Sequence, residues 1–350
     1  MRASTLLVVA AVLTLVGAAA ARETRPELSV ILAERPAPTL AAYRLFTDAR
    51  AQSPAAGVTA YDLAEPLFSD GAIKRRFVFL PPGAHAQYRD EGAFDFPVGT
   101  VLVKTFAFPA DQRAPAENIR VIETRLLVRK KDGWRADAYV WSAAGDEARL
   151  LVAGGEVQIA TINARGAAQR FTYAIPNRNQ CKGCHAIDGE ITPIGPSAGH
   201  MKLANATAPS TLELWRDAGL VKGAPGENAR TVLTGTDARA RAYLDINCAH
   251  CHNPRGPANT SGLDLRADQS DPHLWGLRKR PIAAGRGAAD LAFAIEPGHP
   301  DRSILLHRME SNDPGVMMPE LGRSIVDEDG VALVRRWISE MDADGRPRQN

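Results

Sequence analysis

Ile122-Glu123-Thr124-Arg125-Leu126-Leu127-Val128-Arg129 is the stretch on which the reading of the fold turns. Taken with a period of two, it sets Ile122, Thr124, Leu126 and Val128 on one face and Glu123, Arg125, Leu127 and Arg129 on the other, as a strand does. Asp132-Gly133 follows as a hairpin turn. Trp134, Ala136, Ala138 and Val140 then alternate with Arg135, Asp137, Tyr139 and Trp141. Upstream, Val101, Val103 and Thr105 alternate with Leu102, Lys104 and Phe106. Downstream, Gly154-Gly155 separates Arg149–Val152 from Glu156–Ala160, and Gln169–Ile175 closes the series. Several short strands with turn signals between them predict a β-sandwich-like domain over 59–176.

Outward from that block the patterns change. Residues 1–21 join a basic start, an apolar run from Leu6 to Val16 and a Gly17-Ala18-Ala19-Ala20-Ala21 tail, the build of a cleaved secretory signal peptide. The run is short for a bilayer span of roughly 20 residues, and no second long apolar segment occurs, so no membrane span is expected in the mature chain. Residues 22–58, rich in Ala, Pro and Arg, read as a lead-in. After Pro176 the strand period stops, and 177–235 is loop-rich apart from a helical stretch at Thr211–Val221. From 236 to 345 the chain is helical at both ends. Ala240, Tyr243, Leu244 and Asn247 fall at helical spacing behind Thr236 as N-cap, and Val331, Val334, Ile338 and Met341 form a second stripe widened by Leu333 and Trp337.

The 350 residues carry 42 Lys+Arg against 40 Asp+Glu, a net of +2 that excludes the basic footprint of a dedicated nucleic-acid binder. No P-loop, dinucleotide fingerprint or G-x-S-x-G elbow occurs. The 4 cysteines are too few for a disulfide scaffold, and they fall into two copies of one motif, Cys181-Lys-Gly-Cys184-His185 and Cys248-Ala-His-Cys251-His252. C-x-x-C-H is the attachment signature of c-type haem. Two thiols at this spacing form thioethers to one porphyrin, and the next residue reaches the iron as proximal ligand. The motifs therefore predict two c-type haems on Cys181, Cys184, Cys248 and Cys251, with His185 and His252 as proximal iron ligands. A zinc site built from all four cysteines and structural or redox disulfides are the alternatives.

Methionine is the common sixth ligand of electron-transfer haem iron. Met318, in the Gly315-Val-Met317-Met318-Pro319 loop before the last helix, is the expected distal ligand of the second haem, ahead of Met317 and Met309. For the first haem Met201 is the weaker candidate, with His200 beside it. Gly195-Pro196 and Gly256-Pro257 follow the two motifs, either as ordinary turns or to supply a proline carbonyl to the proximal His. Arg278-Lys279-Arg280 and Arg286 read as solvated surface before haem-propionate or partner contacts.

The chain resembles a family of exported bacterial di-haem c-type cytochromes. The resemblance rests on Tyr61-Asp62-Leu63 with Pro66-Leu67-Phe68-Ser69-Asp70, on Phe94-Asp95-Phe96-Pro97-Val98-Gly99-Thr100 and on Glu123-Thr124-Arg125-Leu126-Leu127. Gln180-Cys181-Lys182-Gly183-Cys184-His185 and Asp245-Ile246-Asn247-Cys248-Ala249-His250-Cys251-His252 continue it. Pro297-Gly298-His299-Pro300-Asp301-Arg302-Ser303, Arg308-Met309 and Met318-Pro319 are similar to a wider group of cytochrome c domains, which implies Met318 as a distal ligand. The expected architecture is thus α+β and multidomain: a β-sandwich-like N-terminal domain, a first haem-binding segment at 177–235, and a mainly α cytochrome c-type domain at 236–345 with the second haem. The expected function is electron transfer with a redox partner protein in the periplasm. The alternatives are a di-haem peroxidase or oxidase with one open-coordination haem, and a haem-bearing subunit of a periplasmic dehydrogenase.

Overall fold

A computed structural model of the chain describes residues 23–205, 207–226, 230–282 and 285–346. The signal-peptide reading at 1–21 lies outside the described residues. Among those residues no helix is long and apolar enough to cross a membrane.

The alternating stretches form one six-stranded antiparallel meander: β1 (Val58–Tyr61), β2 (Ile73–Phe79), β3 (Val101–Pro109), β4 (Ile119–Lys130), β5 (Gly133–Trp141) and β6 (Ala148–Leu150). Lys130 already pairs with Gly133, so Lys131 and Asp132 make the two-residue turn, one position earlier than the sequence suggested. β3 and β4 pair Val101 with Val128, Val103 with Leu126, and Thr105 with Thr124, which confirms the two faces read from the pattern. Ile122 departs from it. Phe106 pairs with Glu123 and Ala107 with Val121, so Ile122 is the extra residue of a β-bulge. The bulge turns its side chain to the opposite core, beside Phe106 and Phe108.

Among the described residues a second sheet of comparable size, which a sandwich requires, does not form. The face carrying Val101, Val103, Leu126 and Val128 is covered by the lead-in, whose Ile31, Leu40, Tyr43 and Leu45 are almost wholly buried against it. The other face is covered at one end by a separate hairpin, β7 (Gly155–Ile162) with β8 (Ala168–Ile175), through Phe108, Phe171 and Tyr173. At its other end Phe94 and Phe96 pack there with two short helices, α2 (Ala198–Met201) and α3 (Thr211–Asp217).

Between β8 and those helices the chain forms α1 (Arg178–His185), which the sequence reading missed. Its signal was present: Asn177 and Gln180 form a capping box, each side chain bonding the other's backbone N–H at 2.9 Å. Asn177→Ala is expected to cost about 1 kcal/mol in urea unfolding by exposing the first turn. An unchanged midpoint would show that the tertiary contacts of α1 hold it without the cap.

The expectation of a mainly α cytochrome c-type domain over 236–345 is overturned. Among its described residues that region holds three α-helices, α4 (Gly235–Leu244), α5 (Ile304–Glu310) and α6 (Glu328–Ser339), none longer than 12 residues. The protein as described is mostly β. The physical reason is the Gly- and Pro-rich stretch between α4 and α5, where glycine and proline are poor helix formers. That stretch stays irregular, yet it supplies Leu265, Trp275, Leu277 and Ile295 to a core shared with the helices. The two apolar stripes are present as expected, although α4 starts behind Thr234 rather than Thr236. Trp337 Nε1 donates to Asp237 Oδ1 at 2.8 Å, joining α6 to α4.

Candidate functional site

One cavity of about 470 Å³ is bordered by both C-x-x-C-H motifs. This volume lies within the roughly 300–1,000 Å³ of sites that enclose cofactor-sized groups. Its floor is the β3–β4 face between the two end clusters, where Leu102, Lys104 and Phe106 and then Arg125 and Leu127 meet it.

The first motif rides on α1, where Cys181, Cys184 and His185 fall three and four residues apart and so share a face. α1 is docked by Arg178, which donates to Asp137 Oδ1 at 2.7 Å, while Arg135 donates to Asp137 Oδ2 at 2.7 Å. The second motif follows α4. There the helix widens into a π-turn, Asp245–Ala249, that carries Cys248 to the cavity wall. Asn247 locks this turn to the N-terminal half: its Oδ1 accepts from Phe68 N at 2.7 Å and its Nδ2 donates to Tyr243 O at 3.0 Å.

The two motifs are neighbours. Cys184 lies close enough to Cys251 and His250 to interact with both electrostatically. Those neighbours lower the pKa of Cys184 against the effect of its burial, whereas Cys184 and burial raise that of Cys251. Burial, helped by the Asp245 carboxylate, takes Cys248 up to about 12. All four thiols are free and half-buried.

The two motif histidines, His185 and His252, are held in the same way. His185 Nδ1 lies 2.9 Å from Thr192 O. A carbonyl only accepts, so Nδ1 carries the proton and Nε2 presents a lone pair. His252 Nδ1 lies 2.9 Å from Ser261 Oγ, whose own proton goes to Ala258 O at 2.8 Å. Ser261 therefore accepts, and His252 Nε2 is likewise bare. Burial pushes both imidazoles down to about 4, so both are neutral at pH 7. A ring fixed through Nδ1 with a free Nε2 is the arrangement of a metal-ligating histidine. Thr192 and Ser261, rather than Pro196 or Pro257, supply the partners.

The methionines separate clearly. Met318 is half-buried and borders the cavity, while Met317 is buried away from it. Met309 borders it too, but belongs to the core of α4, α5 and α6. Met201 is fully buried with Ala198, Leu212 and Trp215 and does not border the cavity. His200 does border it, with Nε2 held by Asp245 Oδ2 at 3.0 Å.

Several residues here escaped the sequence reading. His250 sat inside the second motif as a spacer, yet its Nδ1 is buried without a partner. Arg323 is buried and donates from Nε to Met318 O at 3.1 Å and from Nη2 to Ser311 O at 2.7 Å. Asp70, also buried, accepts from Ser324 N at 2.6 Å and Ile325 N at 3.0 Å. Together they tie the Met318 loop to the β1–β2 connection. Lys279 and Arg280, read as surface, border the cavity. Arg286 instead pairs with Asp313 at 2.7 Å.

The donor set fits haem c: two thiol pairs, two neutral imidazoles with free Nε2 atoms, and the Met318 thioether at a common cavity. Among the described residues no group of three or more His, Cys, Asp or Glu is placed to hold a metal ion. The fold and site define a β-meander protein with two C-x-x-C-H motifs face to face. No family model, curated protein or solved structure matches the chain.

Proposed function

We propose that the chain is an exported, periplasmic di-haem c-type cytochrome that carries electrons to or from a partner protein, as its resemblance to that family implies. The observation that carries this reading is the pair of histidines, each one residue beyond a cysteine pair, each pinned through Nδ1, and each neutral with Nε2 free. When bound, haem supplies one-electron ferric/ferrous chemistry. Cys181 with Cys184 and Cys248 with Cys251 tether it. Thr192 O and Ser261 Oγ hold the imidazole planes and raise their basicity. Arg323 and Asp70 fix the loop that offers Met318 to the second haem, a ligation that raises the potential.

Intact mass after expression with the haem-maturation machinery tests the reading. A gain of two haems is expected. A chain with four free thiols, or one that retains zinc, rejects it.

A second reading is favoured by one observation: Met201 lies in the core and His200 is engaged by Asp245. Neither sequence-derived candidate is thus free for the first haem, which suits a peroxidase or oxidase with an open iron position. Carbon monoxide binding to the reduced protein separates the two. Two low-spin haems inert to it leave the carrier alone standing.

A further inference from the structure

The β-sheet wall of the cavity carries a feature that electron transfer by itself does not explain. Arg76 on β2, Lys104 on β3 and Arg125 on β4 are directly paired in register, Arg76 with Lys104 and Lys104 with Arg125. All three border the cavity. Like charges directly opposite on neighbouring strands are destabilising. The outer two are compensated: Arg76 Nη1 bonds Asp62 Oδ1 at 2.6 Å, and Arg125 Nε bonds Glu123 Oε2 at 2.9 Å. The central one is not. Among the described residues no carboxylate or carbonyl accepts a hydrogen bond from Lys104, and its Nζ rests 5.0 Å from the centre of the Phe106 ring. Burial pushes Lys104 well below the usual lysine range, with Arg76, Lys74 and Arg125 adding to the effect and the Glu123 carboxylate opposing it from a distance.

We propose that Arg76, Lys104 and Arg125 form a carboxylate-binding site, and that its occupant is a propionate of the haem attached at Cys181 and Cys184. The proposal rests on the di-haem reading. The first motif is the nearer one: Lys104 and Arg125 both act electrostatically on His185, and Arg125 also on Cys181 and Cys184. The other cations of the cavity have surroundings of their own, Arg280 lying over the Phe293 ring at 5.6 Å. Arg323 bonds carbonyls of the Met318 loop, Arg308 Nε bonds Val316 O at 2.8 Å, and Lys279 lies against Gly262 close to the second motif. A carboxylate on Lys104 relieves the repulsion along the row and receives charge-assisted hydrogen bonds from it.

The test uses holoprotein carrying Lys104→Met, which keeps the length of the side chain and removes its charge, beside Lys104→Arg. Intact mass is measured first, then both midpoint potentials at pH 7, with and without excess acetate. The expected result is two haems in each protein, with one potential lowered in Lys104→Met because the propionate charge is no longer balanced. That potential is restored in Lys104→Arg, and the other is unmoved. If Lys104→Met does not mature, Arg76→Gln takes its place and is expected to lower the same potential by less. Wild-type potentials indifferent to acetate support a propionate as occupant. An acetate-dependent shift that Lys104→Met abolishes retains the carboxylate site but overturns the propionate, assigning a diffusible occupant. Two haems with both potentials unmoved by either substitution overturn the site while leaving the di-haem reading intact. A chain without haem overturns both.

Discussion

Arg323→Met is expected to destabilise the haem-loaded protein by about 3 kcal/mol and to release Met318 from the second haem. The guanidinium of Arg323 is the hub of the loop before α6. Nε holds Met318 O, Nη1 holds Asn312 Oδ1 at 3.1 Å and Ile325 O at 3.3 Å, and Nη2 holds Ser311 O, with Arg308 O and Met309 O at 3.3 Å. Methionine matches much of its bulk and none of its donors. Each buried carbonyl left without a donor costs about 1–3 kcal/mol, and cavity water recovers part of this. Two measurements check the outcome: the urea midpoint, and the far-red absorption band of Met bonded to ferric iron. On the proposed ligation, Met318→Ala is expected to remove that band by deleting the thioether, and Arg323→Met by freeing the backbone that presents it. An unaltered band in Arg323→Met would mean that the loop is held by Asp70 and packing alone. Lys in place of Arg323 keeps the charge but not the planar fork, so it is expected to restore little.

Glu123→Gln is the second large effect, about 3–5 kcal/mol of lost stability. Glu123 is fully buried on β4, accepts from Arg125 and accepts from Tyr173 OH at 2.6 Å. Removing one partner of a buried ion pair strands the other charge, which is far costlier than the net worth of the pair. The loss has a structural address. Tyr173 belongs to β8, the strand that leads through Pro176 into α1, so this network docks the hairpin that positions the first motif. Tyr173→Phe deletes one hydrogen bond and is expected to cost about 1 kcal/mol. Denaturant unfolding of both variants checks the ratio. Equal costs would show that the hydroxyl, rather than the stranded Arg125 charge, dominates.

Legibility from sequence followed the range of the interactions. The faces of β3, β4 and β5 were readable because strand periodicity is local, and only the bulge at Ile122 broke it. The lead-in, with a short helical stretch read around Leu40–Arg50, gave no sign of its packing role because Ile31, Tyr43 and Leu45 follow no period; they are buried because a sheet face has to be covered. The 236–345 region was read as more helical than it is. Its two stripes were given more weight than the Gly- and Pro-rich chain between them. At the site, the cysteines and proximal histidines announced themselves by spacing. Thr192, Ser261, Asp70 and Arg323 did not, since a hydrogen bond to a backbone atom leaves no motif.

The amino-acid sequence alone determined the strands of the meander, the stripes of α4 and α6, and the chemistry of two C-x-x-C-H motifs, all of which depend on residues within a turn or two of one another. Only the tertiary structure decided that motifs more than sixty residues apart open on one cavity, with Cys184 against Cys251. It also decided that Met318 faces that cavity while Met201 is buried elsewhere, and that Arg76, Lys104 and Arg125 stand in a row. The physical reason is common to all three. Strand register and the packing of distant segments set which side chains meet, and neither is encoded in the spacing of residues along one segment.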